Sequence, residues 1–345
     1  MIKNQKENRN RWFKIKLPLY LILTFSAVAI YGLSYTYNLY YKDEPKNANS
    51  TINNKCDNPL ILIRETDYKL TKPILLAEAK TDDKKFDGIK KQITEIIESL
   101  TKKAVISTAS VYYCELNDGS QFNINPNEMY RPTDMLEITK MIALLKQSEK
   151  NPSFLDQKVL YQKKINSPTQ APKTSVALEN NKSYSIRSLM YNMFAGSDEN
   201  ATLALNPYID TTILRAVYSA IQEPYPGLND TNYLTTVANY SRLLKMLYNV
   251  GYLTETNCEI ALELLANNSF KDGILKPIDK DIKTVHYLAE SRHSESLEMH
   301  ELAIIYMNNK NYLISIMAKG KDKKDLATLF SSISRIIYDE RNKNS

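Results

Sequence analysis

Apolar positions along the chain recur at two spacings, and the change from one to the other divides it into elements. Phe86, Ile89, Ile93, Ile96, Ile97 and Leu100 fall three or four residues apart, the spacing of one helix face, so a helix is expected over Phe86–Lys102. Ala104–Leu116 is β-branched and aromatic instead, and Asn117-Asp118-Gly119 predicts a tight hairpin turn into a strand over Gln121–Ile124. Arg131-Pro132-Thr133-Asp134 then introduces a helix whose apolar side carries Met135, Ile138, Met141, Ile142 and Leu145. From about 154 to 272 the pattern is mostly helical, broken at Pro168, Pro172, Pro224 and Pro226. After Ile282 strands are expected over Lys283–Glu290, His300–Met307 and Tyr312–Lys319, with a turn at Asn308-Asn309. Leu326, Leu329, Phe330, Ile333, Ile336 and Ile337 mark a closing amphipathic helix over Leu326–Tyr338. The order is helix, two strands, a helical block at about 134–280, three strands and a helix. That order predicts an α/β fold in which the N- and C-terminal strands share one antiparallel sheet.

Charge changes the picture at the N-terminus. The first sixteen residues hold six basic side chains (Lys3, Lys6, Arg9, Arg11, Lys14 and Lys16) and one acid, Glu7, so they carry +5 of the net +6. The rest of the chain is nearly neutral and shows no basic stripe with interleaved aromatics, which excludes a nucleic-acid partner. Leu17 to Tyr41 follows, twenty-five residues without a charge. About 20 apolar residues cross the hydrocarbon core of a bilayer, so this run is long enough to span one. Tyr31, Tyr35, Tyr37, Tyr40 and Tyr41 suit an interfacial belt at its far end. The expected organisation is a basic cytoplasmic tail over 1–16, a transmembrane anchor over 17–41, and a tether over 42–58. An extracytoplasmic domain over 59–340 then opens with Pro59-Leu60-Ile61-Leu62-Ile63. The localisation expected is the cell membrane, single-pass, with the N-terminus cytoplasmic. Ala27-Val28-Ala29 keeps a cleaved signal peptide open as the alternative.

Composition excludes further classes. Hydrophobic residues make up 43% of the chain and charged residues 24%, which removes disorder; eight glycines and three cysteines remove collagen-like and disulfide-scaffold chains. Cys56, Cys114 and Cys258 follow no metal or disulfide spacing and read as buried thiols, with one pair left open. His286, His293 and His300 are spaced by seven, but a hairpin turning near residue 295 sets His286 across from about residue 304. Strand histidines are therefore expected, not metal ligands.

Several local sequences resemble, in their order, the class A β-lactamase and penicillin-binding (DD-peptidase) serine hydrolase superfamily. Val111-Tyr112-Tyr113-Cys114-Glu115-Leu116 with Asn117-Asp118-Gly119 is similar to that family's first hairpin, and Tyr130-Arg131-Pro132-Thr133 through Leu145 to its nucleophile helix. Ser197-Asp198-Glu199-Asn200-Ala201-Thr202 resembles the loop bearing its S-D-N motif. Glu298-Met299-His300, Ile304-Ile305-Tyr306 and Met317-Ala318-Lys319-Gly320 resemble its last two strands. The resemblance implies a β-lactamase-like fold and acyl transfer. That chemistry takes a serine nucleophile, a lysine one helical turn on to accept its proton, a second hydroxyl, and a cationic strand residue.

Those groups are replaced here. The S-x-x-K positions read Asp134-Met135-Leu136-Glu137, the second motif has Glu199 in place of its amide, and the K-T/S-G positions read Tyr287-Leu288-Ala289. Lys283-Thr284-Val285 lies four residues, roughly 13 Å, away along the strand and cannot substitute. Ser99-Leu100-Thr101-Lys102 is a literal S-x-x-K, but it ends a helix ahead of a strand. The family's deacylating glutamate has no counterpart in this sequence; Glu223, before Pro224, is the nearest candidate and has no supporting context. Asp134 with Glu137 reads as a helix N-cap box, and Ser197 as the cap of the next helix. A cation site from Asp134, Glu137, Asp198 and Glu199 is the alternative use of the same oxygens, and acid/base chemistry a third. Cofactors are not implied. The reading reached from sequence is a catalytically inactive, membrane-anchored protein that binds a cell-wall peptide or an envelope protein, with an active hydrolase of divergent machinery as the alternative.

Overall fold

The computed structural model describes residues 61–64, 70, 74–78, 84–165, 178–221, 223–228, 232–293, 296–307 and 310–343. The tail, anchor and tether expected before residue 59, and Cys56 with them, lie outside the described residues. Among the described residues no helix is long and apolar enough to cross a membrane.

Strands β1 (Ile61–Arg64) and β2 (Ile74–Glu78) form an antiparallel pair of their own. Helix α1 (Asp87–Lys102) follows, and then the predicted hairpin, β3 (Ile106–Glu115) and β4 (Gln121–Ile124). Its turn works as the residue types require: Gly119 takes φ 76°, and the Asp118 carboxylate accepts the Ser120 amide at 2.8 Å. Near the C-terminus β7 (Lys283–His293), β8 (Ser296–Tyr306) and β9 (Tyr312–Gly320) return to the same sheet, and α8 (Lys323–Lys343) closes the chain. The sheet runs β4-β3-β9-β8-β7, with every neighbouring pair antiparallel. The N- and C-terminal strands therefore share it, as expected. His286 lies opposite Ala303, one residue from the position predicted.

Two cores flank this sheet. On one face α1 and α8 set Ile89, Ile93, Leu326, Phe330 and Ile333 against Ile314 and Ile316. On the other stand the helices of residues 136–266. They are α2 (Leu136–Lys150), α3 (Ile186–Ala195), α4 (Glu199–Leu205), α5 (Thr211–Ala220), α6 (Val237–Tyr248) and α7 (Glu255–Ala266). Helix α2 is buried almost all round from Glu137 to Leu145, which makes it the axis of this half.

The helical block has one exception. Lys158–Tyr161 (β5) and Lys182–Ser185 (β6) pair as a small antiparallel sheet where helix was expected. The side chains of β5 alternate exposed and buried along Lys158-Val159-Leu160-Tyr161, a period of two that four residues are too few to reveal in sequence. Cys114 and Cys258 are buried free thiols.

Candidate functional site

The site lies where the first turn of α2, the first turn of α4 and strand β7 meet. A 3-10 turn over Thr133–Met135 leads into α2, and its position is fixed from β8. Glu298 accepts the Arg131 amide at 2.9 Å and its guanidinium at 3.3 Å, while Nε2 of His300 donates to the Arg131 carbonyl at 2.8 Å. Burial pushes the Glu298 carboxyl upward, but His300, the Arg131 amide and Lys319 outweigh it and hold the group down at about 2.

The capping box is not formed. Met135 occupies the cap position with no side-chain hydrogen bond, because the 3-10 turn displaces Asp134 from it. Glu137 turns inward instead. The Thr202 hydroxyl of α4 donates to its Oε1 at 2.6 Å and the Tyr287 hydroxyl of β7 to its Oε2 at 2.9 Å. Phe194 of α3 packs edge-on against the Tyr287 ring, with centroids 5.2 Å apart. Burial, then the charge of Asp134, push the Glu137 carboxyl up to about 8 against these two hydrogen bonds. Burial also raises Asp134, to about 6, helped by Glu199 and Glu290. Lys140, one turn beyond Glu137, is drawn down by its own burial and held up by the two acids.

The second motif also differs from expectation. Asp198, not Ser197, caps α4: its Oδ1 accepts the amides of Asn200 at 2.9 Å and Ala201 at 3.2 Å. The Tyr161 hydroxyl donates to the other oxygen at 2.9 Å. Ser197 is exposed with φ 47°, and this left-handed residue turns the chain sharply into the cap. Asn200 holds the backbone of residues 164 and 165 through three hydrogen bonds. Glu199 is exposed beside Asp134.

Asp134, Glu137 and Tyr287 thus come together, with the 197–202 segment joined to them through Thr202. The predicted cation cage does not assemble, since Asp198 is engaged in the cap and Glu137 by hydroxyls. Among the described residues no group of three His, Cys, Asp or Glu is placed to hold a metal. His286 and His300 project from opposite faces of the sheet, opposite Ala303 and Ala289, so they share no ion. Ala289 is buried beside Tyr287 in the core of the helical side. Ser99–Lys102 ends α1 on the far face of the sheet. Glu223 braces the segment ahead of α6, accepting from the Tyr233 hydroxyl and the Asn239 amide. Sequence reasoning passed over Thr202 and Lys140. The signal for Lys140 was Glu137-x-x-Lys140, two charges on one face inside an otherwise apolar run.

Residues 88–341 match the family model described as the beta-lactamase enzyme family. The chain belongs to that family. No curated protein matches it in sequence. Among solved structures, a variant of PBP-A captured as an acyl-enzyme complex with penicillin G is 14% identical, covers 74% of this chain and 97% of its own, and superposes with a TM-score of 0.61. A class A beta-lactamase from Mycobacterium abscessus is also 14% identical, with coverages of 72% and 99% and a TM-score of 0.62. The TLA-1 extended-spectrum beta-lactamase is 15% identical, with coverages of 72% and 98% and a TM-score of 0.61. At these identities the likeness is one of fold.

Against the family's requirements, Asp134, Glu137, Ser197 and Tyr287 supply no hydroxyl with an amine beside it. The Glu137 carboxyl, where the sequence resemblance expects a lysine, is tied into the core by hydroxyls from two other elements. This set can accept and hold protons, and it cross-links α2, α4 and β7.

Proposed function

We propose that this family member has given up acyl transfer and acts by binding, from a membrane anchor, on the extracytoplasmic side. Its ligand would be a cell-wall peptide or another envelope protein, taken up at the surface where Glu199 and the Ser197 turn are exposed beside Asp134. One observation carries this reading. The position that needs an amine holds Glu137, and Tyr287 and Thr202 already donate to both its oxygens. Activating a hydroxyl there requires a proton acceptor, and a carboxyl raised to about 8 holds its proton at neutral pH.

A fluorescent penicillin tests this directly, since a PBP-A variant was captured as a penicillin acyl-enzyme. The expected result is no label on the denatured chain after incubation. A covalent adduct that survives denaturation, and is lost in Ser197→Ala, overturns the proposal. One observation favours a second reading, hydrolysis by carboxyl groups. Asp134 and Glu137 are raised to different extents, to about 6 and about 8, as an acid and base pair would be. That reading predicts turnover of an ester, amide or glycoside which disappears in Asp134→Asn.

A further inference from the structure

On the opposite face of β7 from Tyr287 lies a second chain of ionisable groups. His286, adjacent to Tyr287 in sequence, points away from the helical side into the other core and is fully buried. Its Nδ1 is 3.2 Å from Oε1 of Glu301, itself fully buried on β8. The other oxygen of Glu301 accepts the Ile274 amide at 2.8 Å. Glu301 is approached so closely that a Cβ on Gly273 would come within 2.1 Å of it. The carboxylate is thereby fixed, and Nδ1 donates to it. In a neutral ring Nε2 then carries the lone pair, and the Lys271 amine stands 3.3 Å from it. Lys271 lies on the exposed loop between α7 and β7. The Asn268 carbonyl is also 3.2 Å from Nε2.

One nitrogen cannot accept from Lys271 and donate to Asn268 at once, so each contact excludes the other. In the neutral ring Nε2 accepts from the amine. In the protonated ring Nε2 donates to the Asn268 carbonyl while Glu301 balances the charge. A carboxylate that orients an imidazole, which in turn accepts from a nucleophile, is the arrangement that activates a nucleophile.

We propose that Lys271 is an activated amine at which this protein takes up acyl groups from activated esters. The Lys271 nitrogen attacks the ester carbonyl carbon, forming a C–N bond, and the C–O bond to the leaving alcohol breaks with its electron pair. The proton released from nitrogen passes to Nε2 of His286, whose new N–H is received by Asn268. The product is a stable amide, so the site is one of modification and turns over once. Burial lowers the lysine's proton affinity in the same direction, with Glu301 opposing.

The test is competitive acetylation of the full-length protein with a trace of N-hydroxysuccinimidyl acetate at neutral pH, read lysine by lysine by peptide mapping. Lys271 is expected to react several-fold faster than the exposed Lys91 and Lys102, the direction in which its burial and the neighbouring imidazole both act. His286→Gln should slow Lys271 toward their rate without altering theirs. In the wild type, which needs no variant to fold, the Lys271 rate should reach half its maximum at a lower pH than theirs. A Lys271 that follows Lys91 and Lys102 at every pH overturns the proposal, and one that stays fast in His286→Gln overturns the role of the imidazole.

Discussion

Glu137 shows how burial sets the partners and the protonation of one side chain. A carboxyl at this depth needs hydrogen-bond partners to avoid a large desolvation cost, and Thr202 and Tyr287 supply them. Because its proton affinity rises from the ordinary 4.5 to about 8, the folded chain holds a proton that the unfolded chain has released throughout that window. Stability should therefore fall as pH rises from about 4.5 to about 8, by up to about 1.4 kcal/mol per pH unit from this group. Asp134 adds the same sign between 3.8 and about 6. Glu137→Gln keeps the shape and removes the titration. Urea denaturation across this range should give a flatter stability curve for the variant than for the wild type, and parallel curves would show that Glu137 is ionised when folded. The sequence marked Glu137 as anomalous by its place in the motif. Its partners lie 65 and 150 residues away, and no local pattern named them.

At the scale of elements, the start of α2 is set by β8 more than by its own residues. Arg131 is gripped through its amide and guanidinium by Glu298 and through its carbonyl by His300, and this fixes where the 3-10 turn begins. That external grip is why the capping box, a valid local reading, did not form. Glu298 is held down from 4.5 to about 2, so the sign is opposite to that of Glu137. Its stabilisation is fully present above about 4.5 and is lost as pH falls toward about 2. Glu298→Gln should lower the thermal midpoint at neutral pH and remove this part of the acid sensitivity. A scan of the midpoint from neutral to strongly acidic pH checks both. The α1 helix, the β3–β4 hairpin and α8 were legible because each has a complete period or a turn signal of its own. The β5–β6 pair was not, since its four-residue strands are identified by each other, across a gap of twenty residues between Tyr161 and Lys182.

For the whole molecule, the distribution of charge is the basis of the proposed membrane topology. A basic segment ahead of an uncharged run, followed by a nearly neutral domain, is the pattern of a single span with its N-terminus inside. Cells expressing the full chain should carry it in the membrane fraction, resistant to alkaline extraction. A chain starting at residue 42 should be released, and an unchanged distribution would count against the anchor.

Sequence alone determined the order of elements and the shared antiparallel sheet, because these rest on periodicity and turn chemistry. Tertiary structure alone decided the partners of the buried polar groups. It turned Glu137 from a helix cap into a cross-link between α2, α4 and β7, and gave the cap of α4 to Asp198. It also placed His286 and His300 on opposite faces and brought Lys271, His286 and Glu301 into line. The physical reason is common to all of these. A buried polar group takes its protonation and its partners from groups brought beside it by folding, and their distance along the chain carries no trace of that proximity.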